Sequence, residues 1–251
     1  MANDLERCLT PLPPDPRFAF DCRPGVSCFN ACCRDLSQAL TPYDVLRLAR
    51  GLDLRTGEFL RRYALIGTGP GSGLPVVSLA PADPQQLTCP FLTPQGCRVY
   101  ADRPSSCRTY PLVRLVRRSR DTGQLKEDFM LLREPHCRGF ESGRSWTPAE
   151  WVESQGLAPF QAENDLLLEL IAFKNRFHPG PLAPRAAAEA AAALYDADRL
   201  RERLDDPATA EVDPEPRTDD RALLRLGREQ VKHMLAPRSG DTVRGRATPW
   251  T

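Results

Sequence analysis

The chain has 251 residues and a formal net charge of +1, with 34 basic and 33 acidic residues. This length can bury the core of one domain, or of one domain with extensions. The balanced charge argues against nucleic acid and membrane surfaces, so we expect neither as a partner. No stretch reaches the ~18 apolar residues of a membrane span, and segment 1–14 lacks the apolar core of a secretion signal. We therefore expect a cytoplasmic protein.

Proline and capping residues predict where helices and strands begin. The 25 prolines favour short elements and stiff turns over long regular sheets. Thr41 predicts a helix N-cap, with Pro42 in the first helical position and Gly51 as the stop. The next predicted elements are a helix Gly57–Tyr63 capped by Thr56, a strand Leu74–Leu79, a helical turn between Pro104 and Pro111, and strands Leu112–Arg118 and Leu125–Arg133 joined through Asp121–Gly123. The last predicted elements are a helix from Pro148 to Gly156 capped by Thr147, helices Phe160–Phe177 and Pro184–Leu204, and a helix Arg221–Leu235.

These elements predict a mainly α fold with a small β-hairpin. In this prediction an irregular, metal-stapled N-terminal domain is followed by packed α-helices. The predicted division is an irregular segment 1–19, a cysteine-cluster metal-binding domain 20–145, a helical extension 146–204, and a region 205–251 with a linker, a short helix and a disordered tail.

The strongest chemical signal is the segment Phe20–Asp35, in which four of 16 residues are cysteines. Thiols this dense are either oxidised in pairs or bound to metal. Metal is the favoured interpretation, because we expect a reducing compartment and because the total of nine cysteines is odd. The eight predicted metal ligands are Cys22, Cys28, Cys32, Cys33, Cys89, Cys97, Cys107 and Cys137.

The number and identity of the metals stay open. Four thiolates complete one tetrahedral zinc site or hold one iron–sulfur cubane, so eight cysteines can make two tetrads. The adjacent residues Cys32 and Cys33 indicate two sites, or a non-helical turn around one cluster, because consecutive helical side chains point about 100° apart. The chain has no Cys-x2-Cys pair of the kind typical of structural zinc, and its Cys89-Pro90 step slightly favours iron–sulfur.

Other residues near the cysteines are candidates for supporting roles. Residues 103–120 contain six arginines and no acid. We predict that Arg108, directly after Cys107, binds the cofactor by donating hydrogen bonds to its sulfurs. The other arginines are interpreted as solvated, since no aromatic residues interleave with them as in a nucleic-acid patch. His136 is a candidate further ligand, and Cys8 is interpreted as a free thiol.

The cysteine pattern resembles that of the zinc- or iron-chelating cysteine-cluster proteins, also called the YkgJ family. The resemblance covers about Phe20–Phe140. The matching motifs are Cys28-x3-Cys32-Cys33, Cys89-Pro90-Phe91-Leu92, Gly96-Cys97-x-Val99-Tyr100, Arg103-Pro104-x2-Cys107-Arg108-x-Tyr110-Pro111 and Cys137. The Cys22-x5-Cys28 spacing is wider than the compact family pattern. The resemblance implies a bacterial metal-binding domain, without defining its ion or its activity.

Three functional hypotheses follow. The first is a metal-binding protein that chelates zinc or iron through the eight cysteines. The second is an iron–sulfur redox or group-transfer enzyme, since some relatives of similar pattern are flagellin lysine methylases, although no S-adenosylmethionine site is recognisable here. The third is a zinc-stabilised interaction module whose C-terminal helices bind an unknown protein partner. No catalytic residue is predicted.

Overall fold

The computed structural model describes residues 7–13, 15–34, 36–119, 124–205 and 218–236. About 47% of these residues are helical and 18% are in strands, and the strands form four small sheets within the described ranges. The predicted mainly α fold is therefore wrong, because the fold is mixed α/β. Stapling of the N-terminal domain by metal is not shown by the structure. The predicted turn at Asp121–Gly123 and the predicted disordered tail Pro237–Thr251 lie outside the described residues.

Most of the strands and helices are short. The strands are β1 Leu9–Pro11, β2 Phe18–Ala19, β3 Ala39–Leu40, β4 Ala64–Thr68, β5 Pro75–Leu79, β6 Leu92–Thr93, β7 Gly96–Cys97, β8 Leu112–Arg118, β9 Leu125–Leu132 and β10 Ser145–Trp146. The helices are α1 Pro42–Gly51, α2 Thr56–Tyr63, α3 Ser105–Thr109, α4 Pro148–Ser154, α5 Ala158–Phe177, α6 Pro184–Tyr195, α7 Ala197–Leu204 and α8 Asp220–Leu235. Single 3-10 turns lie at Ala31–Arg34, Tyr100–Asp102 and Gly139–Glu141. No helix within the described ranges is both long and apolar enough to cross a membrane.

The sheets are antiparallel, and several of their strands are too short to show a periodic pattern. The first sheet has the order β1-β9-β8, with Leu9 opposite Leu132. The second has the order β3-β5-β4 and the third pairs β6 with β7. In the fourth, β10 pairs with β2 through Trp146 opposite Phe18. A strand of two or three residues has no alternation to detect, so the sequence predicted the β8–β9 hairpin and the strand near Val77 but missed the short strands. It also missed the five-residue strand β4.

Most helix starts are confirmed, and two details are wrong. Thr41 caps α1 through a reciprocal capping box with Asp44. Thr56 does not cap α2; its hydroxyl lies 3.1 Å from the Asp198 carboxylate of α7. The predicted helix Pro184–Leu204 is divided at Asp196, whose carboxylate accepts a hydrogen bond from the first turn of α7. The first difference comes from a contact between residues 142 positions apart in sequence, and the second comes from a local cap.

The largest core cluster joins the cysteine-bearing part to the C-terminal helices. Val45 and Leu48 of α1 and Val77 of β5 are fully buried, and they share a cluster with Leu170 of α5 and Val231 of α8. Helix α1 contacts α5, α6 and α8, while α7 contacts α2. The C-terminal helices thus pack directly on the N-terminal part, and the predicted domain division stays a prediction.

Candidate metal centre

The N-terminal cysteine segment lies against the segment that carries Cys137. The Asp21 N–H donates to the Gly139 carbonyl at 2.9 Å, so Cys22 is adjacent to the chain just after Cys137. The Arg138 N–H donates to the Cys28 sulfur at 3.1 Å. These two contacts bring three predicted ligands, distant in sequence, to one place.

A second contact joins Cys33 to the hairpin of β6 and β7. The Cys89 N–H donates to the Cys33 carbonyl at 2.8 Å. Three residues later the chain enters β6, and β7 returns with Cys97 opposite Leu92. Gly96 has a φ of +125° at this turn, a conformation that suits glycine and few other residues. The hairpin therefore places Cys97 beside Cys89 and Cys33.

Cys107 is positioned by the buried carboxylate of Asp44. The Ser105 N–H donates to Asp44 Oδ1 at 2.7 Å, and the Ser105 hydroxyl donates to Oδ2 at 3.0 Å, which fixes the start of the short helix α3. Cys107 keeps some exposed surface. Desolvation nevertheless raises the pKa of its thiol to about 12, and the neighbouring thiols of Cys89 and Cys32 raise it further.

The sulfurs of Cys32 and Cys33 lie within hydrogen-bond reach of each other on the 3-10 turn Ala31–Arg34. This contact lowers the pKa of Cys32 and raises that of Cys33. Burial raises the pKa of Cys22 to about 11, and Cys32, Cys28 and Cys137 add to this increase. Thiols that affect one another in this way lie close together, so the predicted ligands form one connected group.

The donor set fits a thiophilic metal. All nine cysteines are free thiols, and thiolate is the preferred ligand of zinc and of iron–sulfur clusters. Among the described residues, no three Cys, His, Asp or Glu side chains are arranged to hold a metal ion. The backbone contacts therefore bring the cysteines near one another without placing their sulfurs in a coordination geometry.

Tyr110 places an incompletely bonded hydroxyl next to this group. Its oxygen is buried and forms no hydrogen bond of normal geometry. It nevertheless lies within reach of the Cys137 sulfur: burial raises the pKa of Cys137, and the Tyr110 hydroxyl opposes that increase. The Tyr110 hydroxyl is therefore close to the Cys137 sulfur, but its O–H is poorly aligned for a hydrogen bond to that sulfur. A metal-bound Cys137 thiolate would be the stronger acceptor that completes this bond.

We expect Tyr110→Phe to weaken metal binding by about 10–100-fold, the usual cost of removing a partner of a metal ligand. The ring is retained, including its edge-to-face contact with Phe20 at 5.8 Å between centroids. The metal-free protein should unfold no more easily, because the change removes a buried hydroxyl without a full partner. Competition with a chelator of known affinity measures the effect. Tyr100→Phe, at a residue that is 59% exposed, is the control, and equal affinities of the two variants would contradict this role.

Two arginines near the cysteines, Arg108 and Arg103, differ in the groups that they contact or affect. The Arg108 guanidinium donates to the carbonyls of Arg103, Gln155 and Ala101, so these contacts favour a structural role, and its predicted binding to the cofactor stays a prediction. Arg103, which the sequence analysis interpreted as solvated, lowers the pKa of Cys22 and Cys97 and so opposes the effect of their burial. Its position in the Arg-Pro motif before Cys107 was the available signal.

His136 and Cys8 have separate surroundings. His136 Nε2 lies 3.8 Å from a carboxylate oxygen of Glu134. Cys8 lies at the end of the first sheet, where its carbonyl accepts the Arg133 N–H at 2.8 Å. The role of His136 as a further ligand stays a prediction. The interpretation of Cys8 as a free thiol outside the metal site also stays a prediction.

Comparison with known proteins supports the interpretation of the cysteines. Residues 21–138 match the family model CxxCxxCC, described as "Putative zinc- or iron-chelating domain". No curated protein and no solved structure matches the chain. The matched segment contains all eight predicted ligands and excludes Cys8. The prediction from the cysteine pattern is confirmed for this segment: residues 21–138 match the CxxCxxCC model of zinc- or iron-chelating domains.

Proposed function

We propose that the eight cysteines bind zinc or iron as thiolates, and that holding this metal is the function of the domain. The observation that carries the proposal is the convergence of cysteines from distant parts of the chain. The Arg138 N–H lies 3.1 Å from the Cys28 sulfur, and Cys89 bonds to the backbone of Cys33. None of the eight is oxidised, so each is available as a ligand. A reducing cytoplasmic location belongs to the same proposal, because paired oxidation would remove ligands.

Two clefts lie elsewhere on the described surface. One, of about 680 Å³, lies between Phe129 of β9 and the α4–α5 connection. The other, of about 840 Å³, lies among α6, α7 and α8. None of the eight cysteines lines either cleft.

Metal analysis of protein purified without oxygen tests the proposal. We expect either colourless protein with stoichiometric zinc, or iron and sulfide with a broad absorption band near ~400 nm. Cys107→Ser should lower both the metal content and the thermal midpoint, since bound metal stabilises the folded state. Cys8→Ser should change neither. Wild-type protein that takes up neither zinc nor iron, even on reconstitution under reducing conditions, would refute the function.

The alternative of an interaction module is supported by the cleft among α6, α7 and α8. In that case the metal is structural and a protein partner binds the C-terminal helices. Deleting residues 205–251 cannot test it, because α8 supplies fully buried Leu223 to the core. Ala188→Glu, at an exposed residue lining the cleft, is the suitable change: loss of a partner with unchanged metal content would favour this alternative.

A further inference from the structure

We infer that strand β4 is a self-association surface, through which two copies of this chain pair edge to edge. Strand β4 lies at the outer edge of the sheet β3-β5-β4 and pairs with β5. A two-fold axis perpendicular to the sheet pairs two such strands in the antiparallel direction. The two three-stranded sheets then join into one, with the two β4 strands at its centre. The inference does not depend on the proposed metal binding, because β4 contains no cysteine.

The backbone groups at the outer edge of β4 follow from its register with β5. The Gly69 N–H donates to the Leu74 carbonyl at 2.8 Å, directly beyond the last register pair of the two strands. In an antiparallel ladder, residues that bond to the neighbouring strand alternate with residues whose N–H and C=O groups point to the other side. Ala64, Ile66 and Thr68 are the residues of β4 that point away from β5 in this alternation.

Antiparallel pairing about Ile66 matches these outward groups with themselves. Ile66 of each copy exchanges both backbone hydrogen bonds with Ile66 of the second copy, and each Thr68 N–H meets the Ala64 carbonyl of the other copy. The Ala64 N–H is already bonded to the Leu60 carbonyl at the end of α2, so it is not available to a longer partner strand. A second copy ends its own pairing at the same residue, and it therefore fits this edge better than an unrelated strand.

The side chains of β4 support the same register. Leu65 and Ile66 are large and apolar, yet they are 59% and 56% exposed. Ile66 lies opposite the fully buried Val77 of β5, so it continues the core face of the sheet, and the two Ile66 side chains become direct neighbours on this face. On the other face each Leu65 lies opposite Gly67 of the second copy, which has no side chain to obstruct it.

Strand β4 lacks the residues that ordinarily prevent edge pairing. Natural edge strands carry charged residues or proline, or they are very short. The edge strand β8 contains Arg114 and Arg117, β1 ends at Pro11, and β3 has two residues. Strand β4 has five residues with neither a charge nor a proline. Antiparallel pairing also keeps Arg61 and Arg62, which precede β4, at opposite ends of the interface, so like charges do not meet.

Sedimentation equilibrium of the full chain tests the pairing. We expect a reversible equilibrium between monomer and dimer across a roughly hundredfold range of concentration, because an edge-to-edge contact lies at the weak end of interface sizes. A reducing agent is present throughout, so that the free thiols cannot link two chains by disulfides. A chain that stays monomeric over this whole range, or that assembles beyond a dimer, overturns the inference.

Charge exchange at residue 66 tests the register. Ile66→Lys and Ile66→Glu should each weaken dimerisation by at least about tenfold, because like charges then lie directly opposite each other. An equimolar mixture of the two variants should form a heterodimer, since the opposed charges then attract. Leu115→Lys is the matched control, at a leucine that is 38% exposed on the edge strand β8, and it should dimerise as wild type does. A mixture that stays monomeric would overturn the register about Ile66.

Thr68→Pro separates backbone pairing from contacts between side chains. Proline removes the N–H of residue 68, which points to the outer edge and does not bond to β5. The thermal midpoint of the monomer should therefore change little, whereas dimerisation should be weakened by at least about tenfold, because the bond to Ala64 of the second copy is lost twice in the symmetric dimer. Dimerisation equal to that of wild type would show that the two copies meet through side chains alone, and it would overturn the pairing of the strands.

Discussion

Replacing Asp44 by alanine is expected to lower the free energy of unfolding by about 3–5 kcal/mol, because each buried donor that loses its acceptor costs ~1–3 kcal/mol. Asp44 is 0% exposed. Its carboxylate accepts the N–H of Thr41 at 2.9 Å, the Thr41 hydroxyl at 2.8 Å, and both the N–H and the hydroxyl of Ser105. Alanine removes the acceptor of these four donors, and Ser105, which carries two of them, is itself buried.

The loss should extend to the metal site, since Asp44 connects the start of α1 to the start of α3. Without the carboxylate, Ser105 loses both of its hydrogen bonds to α1, and we expect Cys107 two residues later to be displaced. Asp44→Ala should therefore bind less metal than wild type at a temperature where both are folded. Urea unfolding followed by tryptophan fluorescence, together with metal analysis, measures both effects.

Glu150 offers a matched control for Asp44. It forms the same reciprocal capping box with Thr147 at the start of α4, with its carboxylate accepting the Thr147 N–H at 2.7 Å. Glu150 is exposed, however, and water can replace its hydrogen bonds. Glu150→Ala should cost far less than Asp44→Ala and should leave the metal content unchanged. Equal losses would show that the cap alone, rather than the buried bridge to α3, determines the effect.

The second large effect is expected at Arg50, which joins three helices. Its guanidinium forms two hydrogen bonds of 2.9 Å with Asp198 of α7 and two of 3.0 Å with Asp220 of α8. Arg50→Ala removes two close guanidinium contacts from the Asp198 carboxylate, which is 9% exposed, and leaves it with the longer contact to Arg201 at 3.4 Å. We expect a loss of about 2–4 kcal/mol in the free energy of unfolding, below the fully buried limit because Arg50 itself is partly exposed.

The same cluster predicts a specific acid sensitivity. Burial alone would raise the pKa of Asp198, but hydrogen bonds from Arg50 and from the Thr56 N–H outweigh it and lower the pKa from 3.8 to about 2. At ~1.4 kcal/mol per pKa unit, this shift corresponds to about 2 kcal/mol. Because the folded pKa is the lower one, this stability is fully present above pH 3.8 and is lost as the pH falls towards 2.

Comparison of variants across this pH range isolates the cluster from other acid effects. The difference in unfolding free energy between wild type and Arg50→Ala should be largest near neutral pH and should shrink below about pH 4. Arg55→Ala is the control, since Arg55 pairs with Glu202 at the surface, where both side chains are more than half exposed. It should resemble wild type at every pH. A constant difference between wild type and Arg50→Ala would contradict the assigned role of Asp198.

Local chemistry explains what could be predicted from the sequence. Thr41-Pro42 and Thr147-Pro148 begin helices because capping and proline geometry act within one turn, and both starts are found in the structure. The density of thiols between residues 20 and 35 identified the family, since such density has few chemical explanations. The eight candidate ligands followed from spacing alone, and their membership in a metal site stays a prediction.

The mixed α/β character and the grouping of the cysteines were decided by tertiary structure. Strands β1, β2 and β10 have two or three residues, and β1 and β2 each pair with a strand more than 100 residues away in sequence, so no local periodicity reveals them. Asp44 appeared in the sequence only as part of a helix start; its bond to Ser105 spans 61 residues. Spacing along the chain likewise could not show which thiols are neighbours, because backbone contacts to Gly139 and Cys33 determine that. The sequence by itself thus determined the candidate donors and the helix starts, whereas the folded chain determined which of the cysteines are neighbours.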